Sequence, residues 1–178
     1  MYPKWAVNKS VIEMKATIRI TLAVIVIFCT SCSTMKQNIH KNNKFTDKTI
    51  SSLLEKNGNV FYITSTYSTG SVVWTYNENG IEIYKLVKGK VIRKEVFPVK
   101  ETWQFNVFAF RDIETELYQK CGLELDGDLF GFSLYVDNTM HKEDFAVDIS
   151  CLKTETYKSE FLNKVVEDIN TYKMYNVW

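Results

Sequence analysis

Between residues 60 and 97 the chain repeats one pattern: a short run rich in β-branched and aromatic residues, then a turn containing glycine. The runs are Val60–Tyr67, Val72–Tyr76, Ile81–Val87 and Val91–Phe97. They are separated by Ser68-Thr69-Gly70, Asn77-Glu78-Asn79-Gly80 and Lys88-Gly89. Such spacing predicts an antiparallel β-meander. Asn79-Gly80 and Lys88-Gly89 put glycine where a tight hairpin needs positive φ. Pro98 closes the series, because proline cannot donate to a ladder.

The flanking sequence supplies helices. Ile50, Leu53 and Leu54 recur at helical spacing between Thr46, which can cap a helix start, and Asn57-Gly58, which can stop it. Trp103, Phe105, Val107 and Ala109 alternate with other residues and predict a fifth strand. Ile113, Leu117 and Cys121 fall at four-residue intervals, one face of a short helix ending at Gly122. Leu129–Val136 and Phe145–Leu152 read as a strand pair across a polar loop, Asp137–Asp144. Phe161, Leu162, Val165, Val166, Ile169 and Tyr172 define an amphipathic helix over 157–173. This order predicts an α+β fold: one domain, with an antiparallel β-meander sheet packed against two or three helices.

Composition narrows the function classes. With 46% hydrophobic and 24% charged residues the 178-residue chain is an ordinary globular sequence. Its net charge of +1 excludes a strongly basic nucleic-acid binder, so no nucleic-acid partner is expected. The total conceals an asymmetry, since residues 32–100 carry +6 and residues 101–178 carry −8.

The apolar run Ile20–Phe28 follows Lys15 and Arg19 and precedes Cys29-Thr30-Ser31-Cys32. A membrane-spanning helix needs roughly 18 or more apolar residues, and this run is too short. A positive start, a short apolar stretch and small residues before a cut site are the marks of a secretory signal peptide. Met14 is the natural start of that signal, with residues 1–13 as an upstream extension. Thr30-Ser31-Cys32 resembles the lipobox of bacterial lipoproteins, although Cys29 stands where leucine is usual. The resemblance covers residues 14–32 alone. It implies cleavage after residue 31, lipidation of Cys32 and a membrane attachment through N-terminal acyl chains. Each buried CH₂ of such a chain contributes about 0.8 kcal/mol. Ser33 after the cysteine, by the same resemblance, implies outer-membrane delivery in the bacterial envelope. Residues 32–45 then form the lipidated N-terminus and a polar tether, and residues 46–178 form the domain.

After cleavage two cysteines remain, Cys121 and Cys151, in an exported domain where disulfides persist. Cys121 ends a helix and Cys151 lies on the apolar face of the last predicted strand, so a bond between them is expected beside the alternative of two reduced core thiols.

Catalytic signatures are sparse. His40 lies in the tether, which leaves His141 for any histidine chemistry, with Glu143 or Asp144 as partner; a solvated loop is the blander reading. Asp126-Gly127-Asp128 with Glu124 offers oxygen ligands for calcium, but the further ligands of an EF-hand loop are missing. Asp112, Glu114 and Glu116 suggest paired acids, or simply acids favoured at a helix N-terminus. No catalytic residue, cofactor or metal is assigned. Trp74, Tyr76, Tyr84, Trp103 and Phe105 cluster on the predicted sheet, either as core or as the lining of a sugar or lipid groove. Lys85, Lys88, Lys90, Arg93 and Lys94 crowd one hairpin, either as solvated charges on an edge or as a contact for anionic lipid or an acidic partner. The sequence thus points to a lipid-anchored envelope protein whose domain binds an envelope protein or a glycan without catalysis. The alternatives are a small envelope hydrolase using Asp/Glu residues and an inhibitory or protective lipoprotein.

Overall fold

In the computed structural model, which describes residues 35–65, 68–98, 112–124 and 127–175, the four glycine-punctuated runs form consecutive antiparallel strands. They are β1 (Asn59–Ser65), β2 (Gly70–Asn77), β3 (Gly80–Val87) and β4 (Lys90–Phe97). A helix over 35–57, α1, precedes them. After them come α2 (Ile113–Cys121), β5 (Asp128–Val136), β6 (Thr139–Ala146), α3 (Ile149–Leu152) and α4 (Glu160–Thr171). The six strands make one antiparallel sheet in the order β4-β3-β2-β1-β5-β6. The fold is α+β, as the meander pattern predicts, and Asn38–Trp178 forms one compact unit. Among the described residues no helix is long and apolar enough to cross a membrane.

Turn chemistry explains the hairpins. At the β3–β4 connection Lys88 (φ 51°) and Gly89 (φ 73°) both adopt the left-handed region that a two-residue turn of matching twist requires. Gly80 is required for a second reason: a Cβ there would overlap the backbone carbonyl of Phe97 on β4.

Three expectations are corrected. The polar segment 137–144 is not a long loop. Asp137 (φ 49°) and Asn138 (φ 63°) make a two-residue turn, residue types that tolerate positive φ without glycine. The strand after it is therefore Thr139–Ala146, and its polar residues reflect an edge position rather than a loop. Residues 147–152 are not a strand either. Asp148 accepts a hydrogen bond from the Ser150 amide at 2.7 Å and starts α3, which overrides the alternation of Val147, Ile149 and Cys151. Finally, the helix expected from Thr46 starts earlier and includes residues 35–45 of the expected tether. Asn42 and Thr46 are buried, and both reach the Ser71 hydroxyl on β2, at 2.9 and 3.0 Å. The predicted fifth strand at 103–109 lies outside the described residues.

Strand alternation divides the core between two faces. Phe61, Ile63, Val72, Trp74, Ile81, Ile83, Phe130, Phe132 and Leu134 pack with Ile113 and Leu117 of α2, Ile149 and Leu152 of α3 and the apolar stripe of α4. Their neighbours Val60, Tyr62, Val73 and Leu86 point the other way and pack with Leu53 of α1. The sheet is thus covered on both faces, and β1 and β2 are buried almost throughout.

On the three-helix face, α2 holds the other two in place. The Glu116 carboxylate accepts the backbone amides of Lys158 and Ser159, so an acid supplies negative charge at the start of α4. At the C-terminal end of α2, the sulfurs of Cys121 and Cys151 lie at bonding distance, 1.93 Å, with their Cα atoms 5.6 Å apart. Cys151 makes this contact from α3, not from a strand. Closing a loop of about 30 residues stabilises by about 3–4 kcal/mol in the chain-entropy model. Replacing both cysteines by alanine is expected to lower unfolding free energy by about that amount, read from urea melts; a non-reducing mass measurement with two free thiols in the purified protein would refute the bond.

Candidate functional site

The aromatic residues singled out for a ligand groove do not form one. Trp74 and Tyr76 point with Val72 into the face covered by the three helices, 0% and 4% exposed. Trp74 stacks on Phe61 at 5.6 Å between centroids, and Tyr76 meets the same ring edge-on, also at 5.6 Å. These two are core residues, which corrects their assignment to a ligand surface. Tyr84 faces the opposite side of the sheet and remains partly exposed. Its hydroxyl donates to Glu82 at 2.5 Å, and Lys94 sits over its ring at 5.2 Å while pairing with Glu82 at 3.2 Å. Burial pushes the Glu82 carboxyl up, but donors from Tyr84, Lys94 and Asn77 outweigh it and hold the pKa below its ordinary value. Trp103 lies outside the described residues.

The three-helix face contains a buried ionisable cluster that sequence patterning does not reveal. Tyr76 donates its hydroxyl to Asp168 of α4, and Lys164 reaches the other carboxylate oxygen at 3.1 Å. Asp168 is only 4% exposed. Burial raises its pKa above the usual carboxylate value even though Tyr76 and Lys164 both pull it down. For Lys164 burial is the largest single effect and lowers the pKa, but Glu167 and Asp168 together outweigh it and raise the pKa above its ordinary value. Burial likewise drives the Tyr76 hydroxyl well above its ordinary value, with the Asp168 charge adding to it. At the carboxylate, desolvation outweighs both donors, so the Asp168 pKa lies above its ordinary value while Lys164 stays paired with it.

On the α1 face, three residues line up across three strands. Tyr62 on β1 is in register with Gly131 on β5, which is in register with Asp144 on β6. The Tyr62 side chain lies across the glycine and donates to Asp144. A Cβ at residue 131 would overlap both the Tyr62 ring and the Asp144 carboxylate. An aromatic ring covering a strand glycine restores packing that the missing side chain forfeits. Burial first, then the Asp144 carboxylate, push the Tyr62 hydroxyl far above its normal range. Beside this bridge α1 and the sheet enclose a groove of about 390 Å³, lined by Thr46 and Asp47 of α1, Tyr62 and Thr64 of β1, and Lys142 and Asp144 of β6, with Ile50 and Leu129 as apolar floor. It presents hydroxyls, two carboxylates and one ammonium beside two apolar side chains. The sequence signal available was Gly131 itself, since an isolated glycine in a strand marks close approach by another group. Its partners became identifiable only with the β1–β5 pairing.

The remaining candidates are dispersed. His141 lies in β6, in register with Leu134, rather than in a loop. Glu116 is engaged at the start of α4, whereas Glu114 and Asp112 line a small hollow of about 260 Å³ with Glu143. Asp128 begins β5, its pKa raised by burial, and Asp126 lies outside the described residues. Among the described residues no group of three or more His, Cys, Asp or Glu side chains is placed to hold a metal ion. The chain matches no protein-family model, no curated protein and no solved structure.

Asp168 sets the sign of one pH effect. A carboxyl whose pKa rises on folding binds more protons folded than unfolded, so its stabilisation is full below the unfolded pKa and fades as pH rises through the folded one. Asp168→Asn is therefore expected to flatten the stability-versus-pH curve just above the ordinary carboxylate pKa. Urea melts across that window measure it, and an unchanged slope would show that Asp168 titrates normally.

Proposed function

We propose that this chain is a lipid-anchored protein of the bacterial envelope, attached through Cys32, with a non-catalytic domain that binds a polar ligand of glycan type between α1 and the sheet. The anchor rests on the signal-like segment and on Thr30-Ser31-Cys32, and it makes the outer membrane the proposed site of residence. The binding reading rests on one observation, the groove beside the Tyr62–Asp144 bridge. Sugar hydroxyls pair well with carboxylates and with an ammonium, and such charge-assisted bonds are the stronger ones. The walls are held before any ligand arrives: Asp144 is engaged by Tyr62, and α1 is pinned to β2 through Asn42, Thr46 and Ser71. A site whose walls are already in place avoids an ordering cost on binding.

Two measurements test the two halves of this reading. Cells grown with radiolabelled palmitate should label the full chain and lose the label in Cys32→Ala; continued labelling of the variant would refute the attachment site. For the groove, peptidoglycan fragments from a muramidase digest serve as probes in calorimetric titration. Lys142→Ala should weaken binding by about tenfold or more, the loss expected for one charge-assisted hydrogen bond. Equal binding by parent and variant, or none by the parent, would remove the groove from consideration.

A further inference from the structure

The β3–β4 hairpin is an edge of the sheet that combines positive charge with exposed apolar side chains. Val91 and Ile92 are 46% and 61% exposed, between Lys90 on one side and Arg93 and Lys94 on the other. The bulge at Lys85/Leu86 interrupts the pairing just before the turn and brings Leu86 opposite Val91. The tip does not stand alone. The Gly89 amide donates to Asn42 Oδ1 at 3.2 Å, and the position a Gly89 Cβ would occupy is 3.0 Å from Lys41 Cγ. Lys41, Lys88, Lys90, Arg93 and Lys94 thus surround Val91 and Ile92 at one corner of the sheet, with Lys94 over Tyr84 on the α1 face and Arg93, opposite Lys85, on the other. Two carboxylates offset it: Glu82, enclosed by Tyr84 and Lys94, and Glu95, paired with Arg93 at 2.7 Å.

Charge is also segregated across the whole sheet. The strands β4-β3-β2-β1 come from the half of the sequence carrying +6, and β5-β6 come from the half carrying −8. Each ion pair between described residues joins partners from the same half, so these pairs do not neutralise one half with the other. The molecule presents a basic edge at β4 and acidic groups at the opposite edge, where Glu143 and Asp144 stand on β6.

We infer that the β3–β4 hairpin is a contact for an anionic lipid surface, with Lys41, Lys88, Lys90 and Arg93 at the headgroups and Val91 and Ile92 dipping into the headgroup–acyl boundary. Basic residues near an anionic leaflet are attracted within a Debye length, and neighbouring apolar side chains add burial at the interface. Pairing with a second copy is disfavoured, because antiparallel association of two β4 edges would oppose like charges. The inference rests on the envelope-lipoprotein reading only for bringing a membrane within reach. Its test removes the anchor, so that failure of one is separable from failure of the other.

The full chain carrying Cys32→Ala is mixed with vesicles of phosphatidylglycerol in phosphatidylethanolamine, and separately with vesicles of pure phosphatidylcholine, and binding is read by co-sedimentation. The apolar run at 20–28 is common to every variant, so the comparison isolates the hairpin. Lys88→Glu/Lys90→Glu should reduce partition onto the anionic vesicles by about tenfold or more and leave phosphatidylcholine binding unchanged. Lys48→Glu/Lys56→Glu makes the same charge change further along α1 and should have a much smaller effect. Val91→Ser/Ile92→Ser should lower binding while keeping its salt dependence. Equal loss in the two charge-reversal variants would show a non-specific charge effect and overturn the inference. Binding to anionic vesicles that is insensitive to the hairpin variants, or a hairpin that captures an acidic protein while ignoring vesicles, would overturn it too.

Discussion

Pairing of β1 with β5 is the contact on which the rest of the structure depends. Seven registered residue pairs join two strands separated by more than sixty residues of chain, and they convert a local four-strand meander into a six-strand sheet. β1 becomes a central strand, with Phe61 and Ile63 on the three-helix face and Val60 and Tyr62 on the α1 face, all nearly inaccessible to water. A strand buried on both faces needs a helix layer on each, and the chain supplies α1 before the sheet, α2 between β4 and β5, and α3 and α4 after β6. The long-range pairing also costs loop-closure entropy before any contact compensates it, which gives the Cys121–Cys151 link, near the strands that arrive last, a physical role.

Polar groups inside this fold specify alignment. The Asn59 side chain donates to the carbonyl of Tyr76 at 2.9 Å and accepts its amide at 2.8 Å, continuing the ladder where β1 and β2 begin to part. Asn42 and Thr46 fix α1 over β2 through one serine hydroxyl, and Asn42 also receives the Gly89 amide from the hairpin tip. Buried hydrogen bonds add little net stability, but leaving them unmade costs more. They therefore penalise any rotation of α1 about its axis or any slip of the β3–β4 hairpin. The groove beside Tyr62 and the basic surface around Lys88 both rely on that placement, one on each flank of the same helix.

The aromatic residues, open in sequence between core and groove, show why composition alone says little about surfaces. Trp74 and Tyr76 sit on a strand that is buried on both faces, so alternation cannot distinguish a residue under a helix from one on an open groove. The carboxyl that receives the Tyr76 hydroxyl, Asp168, lies ninety-two positions away on the polar flank of a helix. Nothing local marks it as buried. The β5–β6 strand pair is legible, but the start of its second strand is not: the turn uses Asp137-Asn138 in place of a glycine, and β6 at the sheet edge carries mostly exposed polar residues, which in sequence looks like a loop.

The sequence by itself determined the local elements: a glycine-punctuated meander, the α2 and α4 stripes and the location of the tight hairpins just before Gly80 and at Lys88-Gly89. Each depends on φ preferences or on side-chain periodicity within a dozen residues, quantities a chain states directly. It also displayed the lipobox-like Thr30-Ser31-Cys32 and the opposite charge of its two halves. Only tertiary structure decided which face of each strand is covered, that Gly131 makes room for Tyr62 to reach Asp144, and that Lys41 joins the hairpin lysines. Those outcomes depend on contacts between residues distant in sequence, where the deciding factors are steric fit and desolvation, and neither is visible until the strands are in register.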